Sequence, residues 1–119
     1  MDKDTLQKAM LFDFFGDLLT EKQYEYYDLY HNEDLSLSEI AESAGITKQG
    51  VYDIITRAEK TLIETEEKTG IIKKWIEVRS ELTKAIAASD KIPPEVLRYF
   101  ELEDDEYSDF NAFMNDKEI

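Results

Sequence analysis

Lys48, Gln49, Tyr52, Arg57 and Lys60 fall in one short window and form a chemically coherent set. Lysine donates to the acceptor edge of guanine, and glutamine matches the donor–acceptor pair of adenine. Tyr52 offers a hydroxyl for phosphate and a ring for stacking. Arg57 and Lys60 are long cations able to reach phosphates. On a helix opened by Thr47, the outward side would carry Thr47, Lys48, Gln49, Tyr52, Asp53 and Thr56, with Arg57 and Lys60 farther along. These residue types suit the reading of a nucleic acid.

Bond-breaking chemistry has far less to work with. His31 is the sole histidine, so no Ser/His/Asp or Cys/His set can be built around a placed base. There is no cysteine, which excludes disulfides and cysteine-ligated zinc and suits a reducing compartment. Glu103-Asp104-Asp105-Glu106 lacks the spacing and glycine of a calcium loop. No phosphate-binding glycine loop is present. The sequence therefore predicts a non-enzymatic protein with no cofactor and no metal.

The elements that must hold the window in place are helical. From Leu37 to Ile55, Ile40, Ala41, Ala44, Ile46, Val51 and Ile54 fall where two crossed helices would touch, and Gly45 sits at the turn. This pattern predicts a helix-turn-helix, whose second helix usually enters the major groove. The alternative is an ordinary helical hairpin within a bundle. Gly50, inside the second helix, is consistent with close approach to a ligand or with tolerated drift.

The rest of the chain supplies the supporting helices. A first helix is predicted over Asp4–Leu19, with Ala9–Phe15 apolar on more than one side. Thr20 with Gln23, and Ser36 with Glu39, have capping-box spacing, and Thr47 can cap the helix that runs to Lys68. The second helix would carry Tyr24, Tyr27 and Tyr30 along one side. Gly70 suits a helix stop. Between Ile71 and Ala88, the residues Ile71, Trp75, Val78, Leu82 and Ala85 repeat at packing-seam spacing, widened by Ile72, Ile76 and Ile86. Pro93-Pro94 breaks the chain before a short helix with Val96, Leu97 and Phe100. No segment alternates as a strand does. The expected fold is all-α: one helical domain over residues 1–101, with the motif at 35–60, followed by an acidic tail over 102–119.

Several stretches together resemble a known family. They are Leu19-Thr20-Glu21-Lys22-Gln23, Asp34-Leu35-Ser36-Leu37-Ser38-Glu39-Ile40-Ala41, Gly45-Ile46-Thr47-Lys48-Gln49-Gly50-Val51-Tyr52 and Arg57-Ala58-Glu59-Lys60. They are similar to region four of bacterial sigma factors, which reads the −35 promoter element, and to its stand-alone version, the YlxM-like family. The resemblance covers residues 1 to about 100. It implies a wingless helix-turn-helix of the winged-helix superfamily type, DNA as the partner, and transcription regulation. YlxM-like genes typically lie beside those of the signal recognition particle and its receptor. The resemblance thus also implies a role in that pathway, with the particle's RNA or proteins as alternative partners. Unlike a working sigma factor, this chain has no second domain for the −10 element.

Charge pulls against nucleic-acid binding. The net charge is −14, whereas polyanion binders are expected to be basic on at least one face. Half of that excess, −7, lies in residues 93–119, and Thr47–Thr61 carries +1. Few phosphate contacts are therefore expected, and a module that binds only protein is the reading that charge favours. The acidic tail would be a solvated, mobile segment, a competitor folded over Lys48, Arg57 and Lys60, or a dock for a basic partner. The Trp75 stripe would pack against the Phe-rich first helix or form a homodimer interface. With no apolar run near the ~20 residues of a membrane span and no basic-apolar leader, the expectation is a soluble, cytoplasmic protein.

Overall fold

A computed structural model describes residues 4–99 and 106–116. Its elements are helices α1 (Thr5–Phe15), α2 (Glu21–His31), α3 (Leu37–Ala44), α4 (Lys48–Thr69), α5 (Ile71–Ala88) and α6 (Glu106–Asn115). Short 3-10 segments occupy Gly16–Leu18 and Pro94–Tyr99. No strand occurs among the described residues, so the fold is all-α, as the sequence predicts. No described helix is long and apolar enough to cross a membrane.

The chain divides into two compact units at Gly70, Met1–Thr69 and Gly70–Glu118. The sequence alone suggests a division near residue 101 instead. Gly70 takes a left-handed backbone, φ +63°, which ends α4 and lets α5 begin at the next residue.

In the first unit, α4 is the hub on which α1, α2 and α3 all pack. Val51, Ile55, Ala58 and Leu62 recur every three or four residues along α4 and are buried. Met10, Leu11, Phe12 and Phe15 of α1 and Tyr26 and Tyr27 of α2 complete much of this core. The tyrosines divide differently from the expected one-sided row: Tyr27 is buried, but Tyr24 and Tyr30 are exposed. Phe12 links α1 to α2, its ring 4.6 Å from Tyr24 and 5.3 Å from Tyr27. Gly16 allows that approach, because a Cβ there would stand 3.2 Å from the Tyr24 ring. The α-helix ends at Phe15 rather than running to Leu19, and the 3-10 turn Gly16–Leu18 continues it.

Both capping boxes form. Thr20 Oγ1 accepts from Gln23 N at 3.2 Å and Ser36 Oγ from Glu39 N at 3.1 Å. Reciprocal bonds run from Thr20 N to Gln23 Oε1 and from Ser36 N to Glu39 Oε1. These local bonds satisfy backbone donors that a helix start leaves open.

In the second unit, α5 packs with the Pro94–Tyr99 segment and with α6. It buries Ile72, Ile76 and Ile86, while α6 buries Phe110 and Phe113. Ile71, Trp75, Val78 and Leu82 stay exposed. Residues 106–115, within the segment that composition alone gives as an acidic tail, are helical. Phe100, with residues 101–105 and 117–119 of the acidic stretch, lies outside the described residues.

Candidate nucleic-acid interface

The motif is built by its turn. Gly45 adopts φ +72°, and its amide closes on Ala41 O at 2.9 Å, which stops α3. Ile40, Ala41 and Val51 are buried where α3 meets α4. Ala44 and Ile46, expected at that contact, are exposed instead. The reason is the left-handed turn, which redirects the chain before Ile46 can reach the core. Ile46 lies against the start of α4, its Cδ1 3.7 Å from where a Gly50 Cβ would stand.

Thr47 caps α4, its Oγ1 accepting from Gly50 N at 3.0 Å. A Cβ on Gly50 would stand 3.2 Å from that same oxygen. Glycine at this position is therefore accounted for by the cap itself, an explanation absent from the two sequence-level readings.

Thr47, Lys48, Gln49, Tyr52, Thr56, Arg57 and Lys60 are all exposed. Gln49, Tyr52, Thr56, Arg57 and Lys60 lie round α4 from Val51, Ile55, Ala58 and Leu62, while Thr47 and Lys48 are exposed at its N-terminal end. Tyr52 is 51% exposed, well placed to use both ring and hydroxyl. Lys48 and Arg57 make no ion pair among the described residues.

The remaining polar groups are partly committed. Gln49 Nε2 donates to Asp53 Oδ1 at 2.9 Å. Both residues are exposed, so the bonded pair sets an acidic carboxylate on the face. Lys60 Nζ lies 3.9 Å from Glu64 Oε1, an exposed pair of little energetic weight. The cationic part of the face thus reduces to Lys48 and Arg57, with Lys60 shared.

A contact between distant segments, which no spacing in the sequence announces, lies beside this face. Glu59, named in the sequence only within the stretch Arg57-Ala58-Glu59-Lys60, forms an ion pair with Lys8 of α1 at 3.2 Å. Tyr27 of α2 is buried beside it, and its phenol titrates well above the ordinary tyrosine range, first through burial and then through the nearby Glu59 charge. The Tyr27 oxygen has no well-aligned hydrogen-bond partner. Lys8 of α1 and Tyr27 of α2 thus both approach Glu59 of α4, between Arg57 and Lys60. Among the described residues no group of acids and histidine is arranged to hold a metal ion.

Comparison with known proteins agrees with this architecture. Residues 2–101 match the family described as "Putative helix-turn-helix protein, YlxM / p13 like". A UPF0122 protein of Thermoanaerobacter sp. (strain X514) is 42% identical over 106 residues, covering 85% of this chain and 91% of that one. The UPF0122 protein of Halalkalibacterium halodurans is 48% identical over 86 residues, covering 72% and 77%. That of Shouchella clausii is 45% identical over 95 residues, covering 77% and 86%. On the fold, the turn at Gly45 and these matches, the chain belongs to the YlxM / p13-like helix-turn-helix family.

Proposed function

We propose that this protein is a non-enzymatic DNA-binding regulator that lays the exposed side of α4 in the major groove. The observation that supports this most directly is the two-sidedness of α4. Its apolar residues are sunk in the core, while Lys48, Gln49, Tyr52, Thr56 and Arg57 stand exposed beyond a tight left-handed turn. In this reading Lys48 and Gln49 read base edges and Thr47 and Tyr52 contact base or backbone. Thr56 lines the groove, and Arg57 and Lys60 contact phosphates. The protein acts in the cytoplasm, and the family's resemblance to sigma region four supports transcription regulation.

The test is selection from a random duplex library with the purified chain, followed by affinity measurement on the enriched sequences. A recurring motif with at least tenfold preference over scrambled duplex is the expected result. No enrichment at low salt would overturn the reading.

One observation favours a second reading. Among the described residues, the face carries Lys48 and Arg57 as its cations without an ion pair, with the exposed Asp53 nearby, on a chain of net charge −14. An adaptor for the signal recognition particle that contacts its proteins needs no phosphate contact, and one that contacts its RNA leans on shape, aromatic stacking and phosphate contacts rather than on a helix in the groove. Affinity capture from the native cytosol, with and without nuclease, separates the two. Particle components that survive nuclease point to a protein contact, and a shared DNA sequence points to the regulator.

A further inference from the structure

Helix α5 carries two seams of equal spacing side by side, one of three isoleucines with Arg79 and Thr83, the other wholly apolar. Ile72, Ile76, Arg79, Thr83 and Ile86 are spaced four, three, four, three, and all are buried or half-buried. One residue earlier, Ile71, Trp75, Val78, Leu82 and Ala85 repeat the same spacing and are exposed. The four large ones are 49, 40, 50 and 41% exposed. Neighbouring residues on a helix differ by about 100°, so the second seam runs about a quarter turn from the first. A single such stripe is enough to hold a surface helix to its own protein.

The exposed seam runs about 21 Å at 1.5 Å per residue. Isolated exposed apolar side chains are ordinary on any protein, but a continuous row is not. The 3.5-residue repeat matches one kind of occupant, another helix packed knobs-into-holes. The flanking charges identify which helix. If two copies of α5 run antiparallel, Trp75 meets the second copy's Val78 and Ile71 meets its Leu82. Lys74 then lies beside the second copy's Glu81, and two-fold symmetry makes that pair twice. A parallel pair would instead set Lys74 against Arg79, like against like. Among the described residues the ion pair that Lys74 would exchange is a 4.0 Å contact with Glu77. Arg79 lies over the Trp75 ring at 4.9 Å, giving the seam a charged rim.

We propose that the Ile71–Trp75–Val78–Leu82 seam of α5 is a homodimer interface in which two copies of α5 pack antiparallel. This does not depend on what α4 binds.

Sedimentation velocity of the full chain from about 1 to 100 µM tests it, with Trp75 emission as a second readout. Wild type should show a concentration-dependent dimer and a blue shift of Trp75 as the dimer forms. Val78→Glu should sediment as monomer with unchanged helix content, and Leu82→Lys repeats the test at an independent exposed site. Lys74→Glu should raise the dimer dissociation constant about tenfold, and Lys74→Glu/Glu81→Lys should restore it. A wild type that is monomeric throughout, or a Val78→Glu/Leu82→Lys chain that is folded and still dimeric, overturns the interface. A charge swap that fails to restore the dimer overturns the antiparallel arrangement.

Discussion

Arg57→Ala is the perturbation that bears most directly on the proposed duplex contact. Arg57 is exposed and makes no ion pair among the described residues, so its removal breaks nothing visible in the fold. Its carbonyl oxygen accepts from Thr61 Oγ1, a bond that alanine preserves. Each phosphate neutralised contributes about −0.9 to the slope of log K against log salt. Lys48 and Arg57 together give a slope of about −1.8 for each chain, with Lys60 adding a fraction because Glu64 competes for it. Salt raised to the power −0.9 at about 0.1 M corresponds to roughly an eightfold effect, or about 1.2 kcal/mol, per contact. Arg57→Ala should therefore weaken binding about eightfold and flatten the slope by about 0.9, equally on every duplex. Fluorescence anisotropy on an enriched duplex from about 0.05 to 0.3 M salt measures both. An unchanged slope would refute the assignment of Arg57 to phosphate. A loss confined to one base position would make it a base reader.

Three further outcomes follow from the fold. Thr47→Ala removes the cap on Gly50 N and should cost about 1 kcal/mol, lowering the thermal midpoint by several degrees. Gly50→Ala should gain little in wild type, where its Cβ crowds Thr47 Oγ1 at 3.2 Å. In a Thr47→Ala background it should stabilise by up to about 1 kcal/mol, and equal effects in both backgrounds would refute the role assigned to the cap. Tyr27 stays protonated in the folded state at pH values where the unfolded chain, with a pKa near 10.0, already ionises. Above that pH the unfolded state binds fewer protons, so stability should fall by up to about 1.4 kcal/mol per pH unit. Tyr27→Phe should remove that component, as denaturant unfolding between pH 9 and 11 would show.

Much of the first unit was legible in the sequence because its signals are local. Thr20 with Gln23, Ser36 with Glu39 and Thr47 at its helix start act within one turn of backbone, and spacing alone announces them. Gly45 and Gly70 mark helix ends that follow from their own torsion angles. The acidic stretch was harder to read, because its high charge obscured Phe110 and Phe113, both buried on α6.

Periodicity and capping chemistry, both properties of neighbours along the chain, determined that this protein is a set of helices around a tight turn. What lies across space from each side chain is not written in its neighbours. The fold alone set Glu59 between Lys8 and Tyr27, sent Ile46 outward, and sank Val51 and Leu62 of α4 while leaving Tyr52 and Arg57 in solvent. On α5 two seams of equal spacing compete for burial, and packing chose the one through Ile72 and Ile76. A helix has no preferred rotation about its axis until other helices close on it.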